Sequence, residues 1–119
     1  YKMYPGVTPM WDNTSRRKQK MFIMDKSTPE KYGEWLRTVV GKFVPFSKDE
    51  NFVFINAWNE WAEGNHLEPD LKWGSRYLEE TRKATEFSKD EAMIFFINVL
   101  KSLCCFWVIT PYLIFACSL

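Results

Sequence analysis

Two glutamates, Glu60 and Glu63, carry the clearest chemical signal in this sequence. They lie three residues apart, beside Trp58 and Trp61, and directly follow the apolar run 52–55. Paired carboxylates act on glycosidic bonds when they lie about 5 to 9.5 Å apart. A tryptophan face matches the C–H face of a sugar ring, and burial against it shifts the protonation of a nearby acid. The pattern is typical of a carbohydrate-active site with Glu60 and Glu63 as its catalytic residues. The structural alternative is that these acids cap a helix or pair with a lysine.

Polar and aromatic residues at two places are candidates for sugar binding. One group adjoins the acid pair, and the other follows a short extended segment within residues 1–10. Each candidate also has a structural alternative, as a turn residue or as packing. The predicted substrate-binding residues are Trp11, Asp12, Asn13, Arg16, Trp58, Asn59, Trp61 and His66. The segment Glu68-Pro69-Asp70 is predicted to shape the following loop instead.

Several other classes of site and partner find no support in the sequence. His66 is the single histidine, and the three cysteines lack zinc-site spacing, so no metal site is predicted. A glycine-rich phosphate loop and an Asp-x-Asp motif are both missing, so no cofactor is predicted. Lysine and arginine number 16 against 15 aspartates and glutamates, which gives no electrostatic case for nucleic acid.

Two helices and a strong strand are expected around these residues. Thr28 is a good N-cap, Pro29 suits the first helical position, and Pro45 stops the helix that they begin, over about 29–43. Its apolar stripe, which includes Tyr32, Trp35 and Val39, is predicted to be core. A strand over 52–58, buried on both faces, comes next. A second helix opens at Gly74-Ser75, with Tyr77, Leu78, Thr81, Ala84 and Phe87 inside and Glu79, Glu80, Arg82 and Lys83 outside.

The order strand, helix, strand, helix predicts an α/β fold with parallel strands and a right-handed crossover. Such sheets carry their chemistry at the carboxyl ends of the strands. We therefore expect the Asp12 loop to lie beside Glu60 and Glu63. A (β/α)8 barrel typically needs about 250 residues. The 119 residues are accordingly interpreted as its last two βα units, a fragment of a larger protein.

Composition changes sharply near residue 89, which predicts two domains, 1–88 and 89–119. From residue 92 to 119 the only charge is Lys101. Three alternatives remain open: a membrane-inserted helical tail, a segment left by a shifted or unspliced reading frame, and a buried core helix. The first would make the protein membrane-associated; no other localisation is indicated. Removal of 92–119 is expected to raise the soluble yield.

Three blocks of the sequence resemble the WbsX-like glycosyltransferase family. The longest is the signature INAWNEWAEGNHLEPD at residues 55–70. The two shorter blocks are WDNT with Arg16-Arg17, and TPE with Tyr32 and Trp35-Leu36. The resemblance covers roughly residues 4 to 80. It implies a role in glycosidic-bond chemistry during polysaccharide or lipopolysaccharide biosynthesis, with a glycan or sugar as substrate.

That family is in turn similar to endo-α-mannosidase-type glycoside hydrolases, which are (β/α)8 barrels. The resemblance implies that Glu60 engages the sugar 2-hydroxyl and that Glu63 is the general acid/base. Those hydrolases usually have histidine at the position of Ala62, a departure that favours the WbsX-like branch. The alternative hypothesis is a non-catalytic remnant that binds glycan or associates with membrane. On either interpretation we expect the isolated chain to be inactive.

Overall fold

The computed structural model describes residues 1–86, 93–97 and 106–109. Its helices are α1 (Pro29–Lys42) and α2 (Arg76–Glu86), and short 3-10 turns cover Lys48–Glu50 and Trp61–Glu63. Its strands are β1 (Gly6–Val7), β2 (Phe52–Asn56), β3 (Asn59–Glu60), β4 (Asn65–His66), β5 (Met93–Ile97) and β6 (Phe106–Ile109). The fold is thus mixed α/β, as predicted.

The main sheet has four strands in the order β1-β2-β5-β6. β1 pairs with β2 in parallel, Gly6 opposite Phe54, and β2 pairs with β5 in parallel. The predicted parallel pairing across α1 is confirmed, because a helical crossover returns the chain in the same direction. Within the described residues the sheet is open, and its closure into a (β/α)8 barrel stays a prediction.

Helix α1 begins as its sequence predicts. The Thr28 hydroxyl accepts a hydrogen bond from the Lys31 amide, and Pro29 occupies the first turn. Glu30 adds negative charge where the helix dipole favours it. The helix ends at Lys42, one residue before the predicted limit, and Phe43 caps it by donating its N–H to the Val39 carbonyl.

The core lies between one face of the sheet and the two helices. On β2, Val53 and Ile55 are fully buried, whereas the alternate residues are half-buried, so the expectation of burial on both faces is only partly correct. The prediction that Trp35 belongs to the core is also wrong, because this residue of α1 is 40% exposed. The core cluster contains Val7, Tyr32, Leu36, Val53, Ile55, Leu67, Tyr77 and Ala84.

Helix α2 packs directly against α1. Tyr77, Thr81 and Ala84 face inward as predicted, and the Tyr32 and Thr81 hydroxyls lie 2.9 Å apart. Glu80 was predicted on the outer face but is half-buried, where its carboxylate accepts hydrogen bonds from Arg37 and Lys83. The close approach of the helices explains the difference, because it brings a cation of α1 to this carboxylate. The predicted inner residue Phe87 lies outside the described residues.

The predicted helical tail is wrong for the two tail segments that the structure describes. Met93–Ile97 and Phe106–Ile109 are strands, and β6 pairs antiparallel with β5. A short apolar run rich in isoleucine and phenylalanine fits a strand as well as a helix, and here β2 offers an unpaired edge. Neither α1 nor α2 is long and apolar enough to cross a bilayer. The rest of the tail lies outside the described residues, as does the predicted domain boundary at 88.

Candidate functional site

A small hairpin follows the carboxyl end of β2 and holds both glutamates. β3 pairs antiparallel with β4, Asn59 opposite His66 and Glu60 opposite Asn65. The 3-10 turn between them carries Glu63, and Gly64 closes it at φ 57°, donating its N–H to the Trp61 carbonyl. Glycine suits this left-handed conformation because it has no Cβ. The acid pair therefore lies on a tight turn just past the carboxyl end of β2, the end of the sheet at which it was expected.

Arg16 brings the two carboxylates into one cluster. Its Nη1 atom lies 3.2 Å from Glu63 Oε1 and 3.8 Å from Glu60 Oε1. The two Oε1 atoms can therefore be at most about 7 Å apart, the sum of these distances. The side chains of Glu60 and Glu63 are only 11% and 19% exposed, while that of Arg16 is 40% exposed. The arrangement is a recessed acid pair covered by a more exposed cation.

The loop after β1 lies against this hairpin, as expected. The Asp12 N–H donates to the Glu63 carbonyl at 2.8 Å, and the Ser15 hydroxyl lies 3.4 Å from the Ala62 carbonyl. The Asp12 carboxylate accepts hydrogen bonds from the hydroxyl and the amide of Thr14. Those two bonds lower the pKa of Asp12. Asp12 is thus an exposed, ionised turn residue beside the acid pair.

The side chain of Asn13 and the backbone carbonyls of Trp11 and Asn13 hold this loop together by accepting hydrogen bonds. The Asn13 side chain is buried, and its amide oxygen accepts the Phe22 N–H at 2.9 Å. The Asn13 carbonyl accepts the amides of Arg16 and Arg17, and the Trp11 carbonyl accepts the Met24 amide. These contacts fit the alternative that Trp11 and Asn13 are turn or packing residues. Sugar binding by the two residues stays a prediction.

Trp58 and Asn59 lie where the chain leaves β2 for the hairpin. The Trp58 side chain is half-buried and packs against the core, and its carbonyl accepts the amides of Leu67 and Glu68. Asn59 is half-buried on β3. The peptide bond between Asn56 and Ala57, just upstream, is cis. Both residues lie beside the acid pair, and their contact with sugar stays a prediction.

Trp61 and His66, both in the hairpin, form a stacked pair in which Trp61 is half exposed and His66 is buried. Their ring centroids lie 3.6 Å apart with an angle of 16° between the planes. The Trp61 indole N–H also donates to Glu68 at 2.6 Å, and the His66 Nε2 atom lies 3.0 Å from Asp70. Asp70 accepts the amides of Lys72 and Trp73 as well, so it does shape the loop.

The ionisation of Asp70 follows from these contacts. Partial burial of its carboxylate acts against the charged form. The hydrogen bonds from the Trp73 amide, the His66 ring and the Lys72 amide outweigh this cost, and the pKa of Asp70 is lowered. An ionised Asp70 favours the tautomer in which His66 Nε2 carries the proton and donates it.

Sequence reasoning missed Asn65, the residue that joins β1 to the hairpin. Its side chain is fully buried, and its amide oxygen accepts the Thr8 hydroxyl at 2.9 Å. Thr8 directly follows β1, so this bond aligns the two carboxyl ends. The signal in the sequence was an amide inside an otherwise aromatic and acidic motif. Among the described residues, no three acidic, histidine or cysteine side chains converge as metal ligands.

Comparison with known proteins identifies the family. Residues 1–81 match the family described as "Glycosyltransferase WbsX". The proteins named "Uncharacterized protein WxcX" from two strains of Xanthomonas campestris pv. campestris are each 46% identical to the chain over 93 residues. That alignment covers 77% of this chain but only 13% of each relative. No solved structure matches the chain. The chain therefore belongs to the WbsX glycosyltransferase family.

Proposed function

We propose that this chain supplies the acid pair and part of the sugar-binding rim of a carbohydrate-active enzyme. The enzyme would make or break glycosidic bonds in polysaccharide or lipopolysaccharide biosynthesis. Glu63 is the proposed general acid/base, and Glu60 the carboxylate that engages the sugar 2-hydroxyl. Membership of the WbsX family supports the carbohydrate class.

The observation that carries the proposal is the shared contact of Arg16 with both carboxylates. It limits the Oε1 atoms to at most about 7 Å apart, and two acids about 5 to 9.5 Å apart can act on one glycosidic bond. Both acids are recessed, with side chains only 11% and 19% exposed, so they are partly shielded from water before a sugar binds. The parallel sheet supports the same location, since α/β folds carry their chemistry at this end of the strands.

Arg16 also limits what the arrangement can do. A general acid must reach the leaving oxygen directly, but the Arg16 guanidinium lies 3.2 Å from Glu63 Oε1 and occupies that approach. Arg16 must therefore turn away from Glu63 when substrate enters. Its exposed side chain extends from a surface loop, where such a movement meets little packing. In its new position the guanidinium can donate hydrogen bonds to sugar hydroxyls.

The test uses a longer relative of the family, with the positions that match Glu60 and Glu63 each changed to glutamine. Turnover of an α-linked oligosaccharide should fall at least about 1,000-fold with glutamine at the Glu63 position, while binding stays largely intact. Glutamine at the position of Glu34, an exposed residue of α1, is the matched control. Wild-type turnover in both acid-pair variants would refute the proposed roles.

A second candidate is glycan binding without turnover. The contact of Arg16 with both carboxylates favours it, because the guanidinium covers the two acids and stands where a glycosidic oxygen would approach them. In that case the glutamine variants would weaken glycan binding, and no substrate would be turned over by the longer relative. The same panel of variants therefore separates the two functions.

A further inference from the structure

Trp61 is held firmly on one face and at one edge, yet it remains half exposed. His66 stacks against one face at 3.6 Å, and Glu68 accepts the indole N–H at 2.6 Å. Half of the side-chain surface, 50%, is still open to solvent. A large aromatic ring fixed in orientation but left uncovered is typical of a ligand platform, because its binding face needs no ordering.

The support behind Trp61 extends into the loop that follows. His66 is only 7% exposed, and its Nε2 atom lies 3.0 Å from Asp70, whose other oxygen accepts the amides of Lys72 and Trp73. The histidine is covered by the indole on one side and tied to the loop on the other. His66 is therefore placed to position Trp61, and its ring has little surface left for direct contact with a ligand.

A shallow groove of about 550 Å³ runs beside Trp61 and is lined by residues 69–72. The groove is open along most of its length, so it would contact one face of a small ligand and leave the other in solvent. Leu71 is fully exposed in the groove, while Asp70 and Lys72 place polar groups near it. An exposed apolar side chain beside hydrogen-bonding groups suits a sugar ring, which has both C–H faces and hydroxyl edges.

The charges around the groove discriminate between possible stacking ligands. Glu68 accepts the indole N–H and Asp70 lines the groove, while Lys72 is the one cation among the described lining residues. The excess of carboxylates would repel the phosphates of a nucleotide, whereas a neutral sugar carries no such penalty. The observations therefore favour a neutral carbohydrate over a nucleotide.

We propose that Trp61 and this groove form a second sugar subsite, next to the one at Glu60 and Glu63. Trp61 lies between the two acids in the sequence and in the same turn, so the two proposed subsites are neighbours along the chain. The ligand is thus an oligosaccharide of at least two units, with one pyranose ring on the open face of Trp61. His66 and Glu68 are positioning residues. The ligand class rests on the proposed function.

The test measures sugar binding by the intact 119-residue chain through the indole N–H resonances of its tryptophans. The probes are neutral α-linked gluco-, manno- and galacto-disaccharides and trisaccharides, with the parent monosaccharides for comparison. Trp61→Phe identifies the Trp61 signal. We expect this signal to shift, with an affinity at least about tenfold higher for a trisaccharide than for a monosaccharide.

Substitutions then separate the platform from its supports. Trp61→Ala should lower the affinity at least about tenfold. His66→Ala should lower it severalfold, and His66→Phe should restore part of the loss because an aromatic ring again backs the indole. Trp35→Ala, which removes a partly exposed tryptophan from α1, is the matched control and should change nothing. The Trp61 signal should not respond to uridine diphosphate.

Three results would overturn the inference: no probe moves the Trp61 signal, affinity is unchanged in Trp61→Ala, or uridine diphosphate binds there more tightly than the sugars. The outcome is independent of the acid-pair test. Sugar binding that requires Trp61, alongside wild-type turnover in both acid-pair variants, would refute the proposed function and leave the subsite standing. Loss of turnover in the acid-pair variants, alongside sugar binding that does not require Trp61, would refute the subsite and leave the proposed function standing.

Discussion

The backbone N–H of Asp12 donates to the carbonyl of Glu63 at 2.8 Å. This bond joins the loop after β1 to the hairpin after β2, although 51 positions separate the two residues in the numbering. The hydrogen bond from Thr8 to Asn65 joins the same two segments deeper in the fold. The acid pair is therefore held by backbone and buried contacts from two strands, while Arg16 reaches it through a partly exposed side chain.

Gly64→Ala tests the turn that presents the acids. Gly64 has φ 57°, a conformation that costs a residue with a Cβ about 1 kcal/mol or more. An added Cβ would lie 3.8 Å from the Asp12 Cβ, so there is space for it and the loss comes from the backbone alone. We expect a lower free energy of unfolding by about 1 kcal/mol. Chemical denaturation measures it.

Gly64→Asn provides the comparison, since asparagine tolerates the left-handed region better than alanine does. Its loss of stability should be smaller than that of Gly64→Ala. An alanine variant as stable as the parent chain would show that this turn does not need glycine.

Two glycines of α1 should respond to alanine in opposite directions. At Gly33 an added Cβ would lie 2.9 Å from the Cβ of Glu80 on α2 and would also meet its carboxylate. Overpacking of this kind costs about 1–3 kcal/mol. At Gly41 nothing lies within 4 Å of the added atom, so alanine should stabilise the helix by about 0.5–1 kcal/mol.

Thermal unfolding of Gly33→Ala and Gly41→Ala, compared with the parent chain, measures both changes. We expect the melting temperature to fall in the first variant and to rise in the second. Equal melting temperatures for the two variants would contradict the close approach of α1 and α2. The shared helix cancels differences in intrinsic propensity, so the comparison isolates the contact with Glu80.

Much of the local structure could be predicted because its causes lie in adjacent residues. Thr28 and Pro29 determine the start of α1, and the parallel pairing of β1 with β2 follows from the helix between them. The hairpin was not foreseen, because its pairing and the stack of Trp61 on His66 depend on how the chain folds back on itself. Glu80 was misplaced because the pattern of one helix does not reveal the cation that a second helix supplies.

The tail shows a different limit of sequence reasoning. Met93–Ile97 is an apolar run whose composition fits a helix, a membrane segment or a strand. The free edge of β2, a tertiary feature, decides between these in the structure. The acid pair itself could be located, but its contact with Arg16 could not, since that residue precedes it by more than 40 positions.

The pairing of β5 reverses the expectation that removing the tail improves solubility. β5 pairs with β2 over five residues, so a chain ending at residue 86 would leave the edge of a buried strand unpaired. We expect that shortened chain to unfold at lower temperature and to aggregate more. A chain ending at residue 109 keeps every described strand and is the control. Higher solubility of the chain ending at 86 would contradict the β2–β5 pairing.

Asp70 should make the stability of the chain depend on pH in acid. Its pKa is lower in the folded chain than its usual value of 3.8. The contribution of ionised Asp70 to the free energy of unfolding is therefore fully present above pH 3.8, and it is lost as the pH falls through the folded pKa. Asp70→Asn keeps an oxygen for the amides of Lys72 and Trp73 but removes the charge beside His66.

Urea denaturation between pH 6 and pH 3 measures this contribution. Asp70→Asn should be less stable than the parent at pH 6, and the gap should narrow as the pH approaches 3. The comparison is needed because the pKa values of other acids are also lowered and act in the same direction, namely those of Asp12, Glu30, Glu50 and Glu80. A gap that is constant with pH would show that the charge of Asp70 contributes nothing.

The isolated chain should show no glycosidase or glycosyltransferase turnover, although Glu60 and Glu63 are both present. Catalysis requires the acids to be held to within a fraction of an ångström against a bound sugar. In the described structure Arg16 lies on both carboxylates, and the hairpin faces solvent on the side of Trp61. Few groups would then exclude water or align a glycosidic bond. Assays on α-linked oligosaccharides, with Glu63→Gln and Glu34→Gln in parallel, test this expectation. Turnover that disappears in Glu63→Gln and persists in Glu34→Gln would prove it wrong, because the chain alone would then complete the catalytic site.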